Sequence, residues 1–167
     1  MERRGYLSAG PFVPEVVLEH PEVVTQLHRE FIRAGSDVVQ AFTYYGHREK
    51  LRIIGKEHLL EPMQKNALKI AKDAANEFKD LDLMVCGDVA NTNVFDPGDV
   101  NTHKQCQQMY EEQVAWAKEA GVDFVVAETI NWTDEMKIAL KAIKDANLLA
   151  VCNFAIPRGD KTREGHS

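Results

Sequence analysis

The sequence predicts an α/β fold, a parallel sheet whose strands are joined by helices. Three observations predict it. Stretches with apolar residues at helical spacing alternate four times with short apolar runs rich in β-branched residues. The runs begin near residues 37, 83, 123 and 149, which leaves room for the helical crossovers that parallel neighbours require. One helix-to-strand junction also occurs twice: Ala34-Gly35-Ser36-Asp37-Val38-Val39 is matched by Ala120-Gly121-Val122-Asp123-Phe124-Val125.

Residues 1–19 read as a loop-like lead-in broken by Pro11 and Pro14, with Phe12 between them. Pro21 suits the first position of a helix, and Val23, Val24, Leu27, Phe31 and Ile32 form its apolar face. Gly35 ends that helix. Asp37 to Phe42 is the first strand, followed by a polar turn from Tyr45 to Lys50. The second helix spans about residues 61–78, with Met63, Ala67, Leu68, Ile70, Ala71 and Ala74 inward, and Leu83 to Gly87 is the second strand. A loop rich in Asn, Asp, Pro and Gly leads to a third helix over about 103–119 and a third strand over 122–127. Thr133 or Asp134 caps a fourth helix carrying Met136, Ile138, Ala139, Leu140 and Ile143, and Leu148 to Cys152 is the fourth strand. A closed (β/α)8 barrel takes about 250 residues and eight strands. Four strands make either a small doubly wound sheet or about half of a barrel.

Composition narrows the function classes. The chain has 167 residues, about one domain, with 44% hydrophobic and 28% charged residues. Its 20 basic against 26 acidic residues give a net charge of −6, which argues against nucleic acid or an anionic membrane surface as partner. No apolar run approaches the roughly 20 residues of a membrane span, and Met1 to Tyr6 has no apolar stretch behind it to make a secretory signal. Cys86, Cys106 and Cys152 are an odd, widely spaced set that fits reduced thiols and a cytoplasmic location. Cys86 and Cys152 read as buried, inert strand thiols.

Chemistry in parallel sheets sits at the carboxyl ends of the strands. There this sequence places Thr43, Tyr44 and Tyr45 after the first strand, Asp88, Asn91, Thr92 and Asn93 after the second, Glu128 and Thr129 after the third, and Asn153 after the fourth. Tyr44, Tyr45, Phe12 and Trp132 offer π-faces; Glu128 and Asp88 offer negative charge. Aromatic faces beside a carboxylate suit an organic cation such as a quaternary ammonium, a sulfonium or an amino-acid ammonium. A tyrosine at a strand end is commonly rim packing. Glu128 is the stronger signal, because an acid following an unbroken apolar strand is costly unless paired.

Other motifs are missing. There is no G-x-G-x-x-G, no G-x-x-x-x-G-K-[ST], no C-x-x-C and no H-E-x-x-H. The six histidines lie in polar contexts, and His47, close behind Tyr45, reads as a solvated loop residue, with a place on the rim as the alternative. The charged runs Lys56 to His58 and Lys161 to Glu164 read as solvated surface.

Several segments resemble the homocysteine S-methyltransferase family that includes the betaine–homocysteine enzymes. They are Arg3-Arg4-Gly5-Tyr6, Ala9 to Glu15, Leu27-His28-Arg29-Glu30-Phe31, Ala34 to Tyr45, and Ala120 to Thr129. The resemblance covers nearly the whole chain. It implies a parallel (β/α)8 barrel, here about half, moving a methyl group from an onium donor onto homocysteine to give methionine. It implies that Glu128 contacts the substrate amino group, and that Phe12, Thr43, Tyr44 and Tyr45 lie at the substrates. It also implies a zinc ion held by three cysteines, a metal-bound thiol being deprotonated and nucleophilic. Cys86, Cys106 and Cys152 do not match those ligands, and the family's Asp-Gly pair would precede Met1. Phe12 stands where the vertebrate betaine enzyme has Trp, and Thr129 where it has Tyr. On this reading residues 1–167 are a partial homocysteine-binding domain, truncated at both ends and lacking the zinc ligands, with small-molecule substrates as partners. Two rival readings remain. One is a non-catalytic half-barrel that associates through its unpaired edges, as a homo-oligomer or with a full-length enzyme. The other is a flavodoxin-like domain, which the missing phosphate loop disfavours.

Overall fold

In the computed structural model of the protein, which describes residues 14–156 and 160–166, four parallel strands follow one another across a single sheet. They are β1 (Val38–Gln40), β2 (Met84–Ala90), β3 (Phe124–Ile130) and β4 (Leu149–Phe154). The helices are α1 (Val16–Glu19), α2 (Pro21–Arg33), α3 (Arg48–Ile53), α4 (Leu60–Asn76), α5 (Val100–Glu119) and α6 (Thr133–Asp145). The 1-2-3-4 order separates the two architectures that strand counting leaves open. A doubly wound sheet reverses its order at a switch point and is covered on both faces. Here the order never reverses, and among the described residues one face alone meets helices. Val39, Val85, Val89, Val125 and Ala127 pack on that side against Ile32 of α2, Leu68 of α4, Val114 of α5, and Ala139 and Ile143 of α6. On the other face Met84, Leu149 and Val151 are 45%, 68% and 49% exposed. This is an arc of a (β/α)8 barrel, helices outside and barrel interior open, as the sequence predicts.

The twice-used junction works by backbone geometry. Gly35 and Gly121 have φ of +101° and +70°, the left-handed region that favours glycine. There the Ser36 and Val122 amides reach back to the carbonyls of Phe31 and Ala117, closing each helix end. Asn147, at φ +58°, is a third copy: the Leu148 amide bonds the Ile143 carbonyl. Asp123 then fixes the start of β3, its amide donating to the Val85 carbonyl and its carboxylate accepting from the Val85 amide at 2.7 Å.

Gly87 brings α5 close to β2. A Cβ there would lie 3.0 Å from the Ala117 methyl and 3.6 Å from Val125. Gly87→Ala is expected to lower stability by about 1–3 kcal/mol through overpacking, read as a lower urea midpoint at unchanged slope.

Several sequence expectations need correction. The polar turn after β1 contains a helix, α3, opened by His47, whose Nδ1 faces the Lys50 amide at 3.5 Å. A second helix, α1, lies within the lead-in. The buried line of α2 is Val24, His28 and Ile32, while Phe31 is 58% exposed. His28 and His47 are buried, at 6% and 1% exposure, where the sequence places His28 in a polar context and His47 in a solvated loop. Cys152 is exposed, because β4 is the sheet edge. Neither Thr133 nor Asp134 caps α6. The carboxylate of Glu164 does, accepting from the Thr133 amide at 2.5 Å, so that part of the charged tail is a helix cap. Burial works to raise the Glu164 acid, but the backbone amides it accepts from win and hold it below its usual range.

Candidate substrate-binding site

Three strands bring polar side chains to their carboxyl ends. Parallel register sets Gln40 beside Cys86 and Glu128 beside Ala90, so Gln40, Asp88 and Glu128 step across neighbouring strands. Gln40 Nε2 donates to Glu128 Oε1 at 3.0 Å. Asp88 is 3% exposed, and neither carboxyl oxygen has a hydrogen-bond partner of good geometry among the described residues. Burial first, and the neighbouring Glu128 carboxylate second, push the Asp88 acid well above its usual range.

A bulge aims Glu128. The β3–β4 register shifts between Glu128 and Ile130, and Thr129 between them sits at φ +61°, a strained value for a β-branched residue. Tyr44 lies against this bulge. Burial is the main cause that pushes its phenol up to about 12; the Thr129 hydroxyl opposes that shift, while Tyr45 and the Glu128 charge add to it. The Tyr44 and Tyr45 rings are 4.2 Å apart, and Tyr45 itself has φ +58°. Lys50 Nζ lies 4.2 Å from the Tyr45 ring centroid, so one face of that ring already holds a cation. Tyr44, Gln40 and Asp88 line a cavity of about 380 Å³ that runs along the free edge of β1 to His28 and Phe31.

The structure thus brings Tyr44, Tyr45 and Glu128 to one mouth, as the sequence reading has them. Thr43 sits one layer below: it is buried, and its hydroxyl donates to the Asp88 carbonyl at 2.9 Å, tying the end of β1 to β2. Phe12 lies outside the described residues.

Sequence reasoning missed a buried network beside the mouth. Glu135, 2% exposed, accepts from the Thr92 amide at 2.8 Å, the Thr92 hydroxyl at 2.6 Å and the Tyr110 hydroxyl at 3.1 Å. It pins the loop after β2 onto the first turn of α6. An acid at the third position of a helix is the available signal, and it reads equally as ordinary surface. A smaller cavity of about 190 Å³ lies above, lined by Asn91, Asn93, Phe95, Asn131, Trp132, Glu135 and Arg163.

The described residues do not fit a zinc site. They contain no group of three or more His, Cys, Asp or Glu side chains placed to share an ion. Burial is the first cause pushing the thiols of Cys86 and Cys106 up to about 12 and 11, the opposite of what a metal-binding thiolate needs.

The family model for homocysteine S-methyltransferase matches residues 2–167. The chain belongs to this family. It is similar to betaine–homocysteine S-methyltransferase 1 of Bos taurus, 33% identical over 165 residues, which covers 96% of the chain and 39% of that protein. The Danio rerio enzyme of the same name is 34% identical over 163 residues, 96% of the chain and 40% of its own length. Against these two relatives the chain therefore spans about two-fifths of the length. The fold resembles that of the homocysteine methyltransferase MmuM from Escherichia coli in its metallated form, with a TM-score of 0.84 at 17% identity, covering 99% of this chain and 62% of that one. No helix among the described residues is long and apolar enough to cross a membrane.

Proposed function

We propose that this homocysteine S-methyltransferase domain binds homocysteine and an onium methyl donor of the betaine type, for methyl transfer that yields methionine. The carrying observation is Glu128, turned by the Thr129 bulge into a mouth shared with Tyr44 and Tyr45. Glu128 holds the substrate ammonium. Tyr44 and Tyr45 face the methyl donor, and the family resemblance adds Phe12 to the donor's contacts; a donor on Tyr45 uses the ring face away from Lys50 or displaces it. In the transfer the homocysteine sulfur attacks the methyl carbon, the carbon–onium bond breaks, and a neutral amine or sulfide leaves. Opposite charges on thiolate and onium cancel along the way, so the aromatic faces of Tyr44 and Tyr45 favour the transition state over the separated charges. The described residues contain no metal-holding group that would activate the thiol. The reading makes the protein cytoplasmic, supported by its free cysteines.

In the natural full-length protein, Glu128→Gln is expected to weaken homocysteine binding by roughly 10- to 100-fold, the loss of one charge-assisted hydrogen bond. Calorimetry checks this, and an unchanged Kd removes Glu128 from the site. Supplying betaine, S-methylmethionine and a sulfonio-acid in turn, with methionine as the readout, identifies the donor.

A second reading has a specific observation behind it. The open sheet face with Leu149 and Val151 exposed favours a half-barrel that works by associating, with itself or with another chain of the family. Methionine formation by the purified protein would exclude it as the sole role.

A further inference from the structure

We propose that Asp88 and Glu128 together form a two-carboxylate clamp for a primary ammonium, with Asp88 the residue that selects such a cation over a quaternary one. The inference deepens the reading above and rests on it.

Asp88 is an expensive residue to keep. It is almost fully buried, lines the cavity that opens at Tyr44, and has no hydrogen bond of good geometry among the described residues, although the Gln40 amide and the Glu128 carboxyl lie beside it. A buried acid left unpaired lowers stability, so its presence calls for a partner that arrives from outside. The surroundings say which kind. From β1 it is faced by Gln40, whose amide donates to Glu128 at 3.0 Å and also lies near Asp88; from β3 by Glu128 itself; from its own strand by Cys86; and His28 of α2 lines the same cavity. No lysine or arginine lines this cavity among the described residues. Nothing here neutralises a second negative charge, so in the empty site the Asp88 carboxyl keeps its proton.

An incoming R–NH3⁺ changes that balance. Its positive charge stabilises both carboxylates, Asp88 releases its proton to solvent, and two N–H···O bonds replace what was lost. A quaternary ammonium has no N–H to offer and gains only the aromatic faces. The two carboxylates therefore sort an amino-acid ammonium to the strand ends and leave a quaternary donor to the tyrosines.

The test uses the natural full-length protein and calorimetry in two buffers that differ in ionisation enthalpy, which counts protons exchanged. L-methionine is the main probe, since its thioether has no proton of its own to lose. Its des-amino analogue, n-butylamine and betaine complete the set. The wild type is expected to bind methionine with release of about one proton and to bind the des-amino analogue far more weakly. Asp88→Asn keeps the shape and removes the acid. It is expected to weaken methionine binding about tenfold or more, abolish proton release and leave betaine binding unchanged.

Methionine binding with undiminished affinity and proton release in Asp88→Asn overturns the clamp while leaving the homocysteine reading intact. Wild-type protein that ignores methionine but binds n-butylamine with Asp88-dependent proton release keeps the clamp and removes the homocysteine reading. If Asp88→Asn does not fold, the wild type decides alone: amine binding without proton release overturns the proposal.

Discussion

Truncating Glu135 to alanine is expected to cost about 2–5 kcal/mol of stability. The carboxylate accepts from three buried donors; its loss leaves the Thr92 amide without a partner, at about 1–3 kcal/mol, and leaves the Thr92 hydroxyl only the Cys106 sulfur at 3.1 Å, a weak acceptor. Tyr110 is less affected, because its hydroxyl also reaches the Ala90 carbonyl at 3.1 Å. Glu135→Gln keeps an acceptor for Thr92 and should lose about half as much. Urea unfolding of the two variants checks this. The damage should be local first: Thr92 lies between Asn91 and Asn93 in the loop after β2, so faster hydrogen exchange over residues 91–99 should precede any change elsewhere. A Glu135→Ala protein with wild-type midpoint and wild-type exchange would contradict the network's role.

The second large effect is acid sensitivity. His28 and His47 are each lowered from 6.5 to about 4, with burial the first cause in both and the Lys50 charge a further one for His47. The unfolded chain takes up protons below about pH 6.5 and the folded one does not, so unfolding is favoured as pH falls. The stability they contribute is complete above pH 6.5 and drains away toward pH 4, by about 3 kcal/mol per histidine as an upper bound. Asp88 acts with the opposite sign, since its raised acid costs stability as pH rises past the ordinary carboxyl range. Urea midpoints of wild type and His28→Leu across that window separate the contributions. His28→Leu should flatten the pH profile, and an unaltered profile would mean that His28 does not titrate with unfolding.

Why some of this was readable in the sequence and some was not follows from the kind of signal each residue gives. The strands and the long helices announce themselves through periodicity, because Leu68, Val114 and Ile143 must all reach one face of one sheet. The junctions at Gly35 and Gly121 repeat as letters because one backbone conformation is needed twice; Asn147 solves the same problem with a different letter and was missed. Tyr44, Tyr45 and Glu128 were legible because strand ends are where a parallel sheet collects chemistry. Burial of isolated polar residues was not legible. Nothing local distinguishes His28, three residues from exposed Phe31, as the one facing inward, since that depends on where α1 and α4 come to rest. Nor does local sequence show that Glu164 reaches back some thirty residues to close α6. Asp88 reads in sequence as one of two rim acids beside Glu128, and its isolation emerges only once its neighbours are placed.

The uncovered side of the sheet has a thermal consequence. Attraction between oily surfaces in water strengthens on warming from the cold, so molecules presenting Met84, Leu149 and Val151 to solvent cling to one another more as the sample is heated, well below any melting point. Clouding that comes with gentle heat and clears on ice is the behaviour such a surface dictates, and refrigeration is the simplest way to keep the chain dispersed.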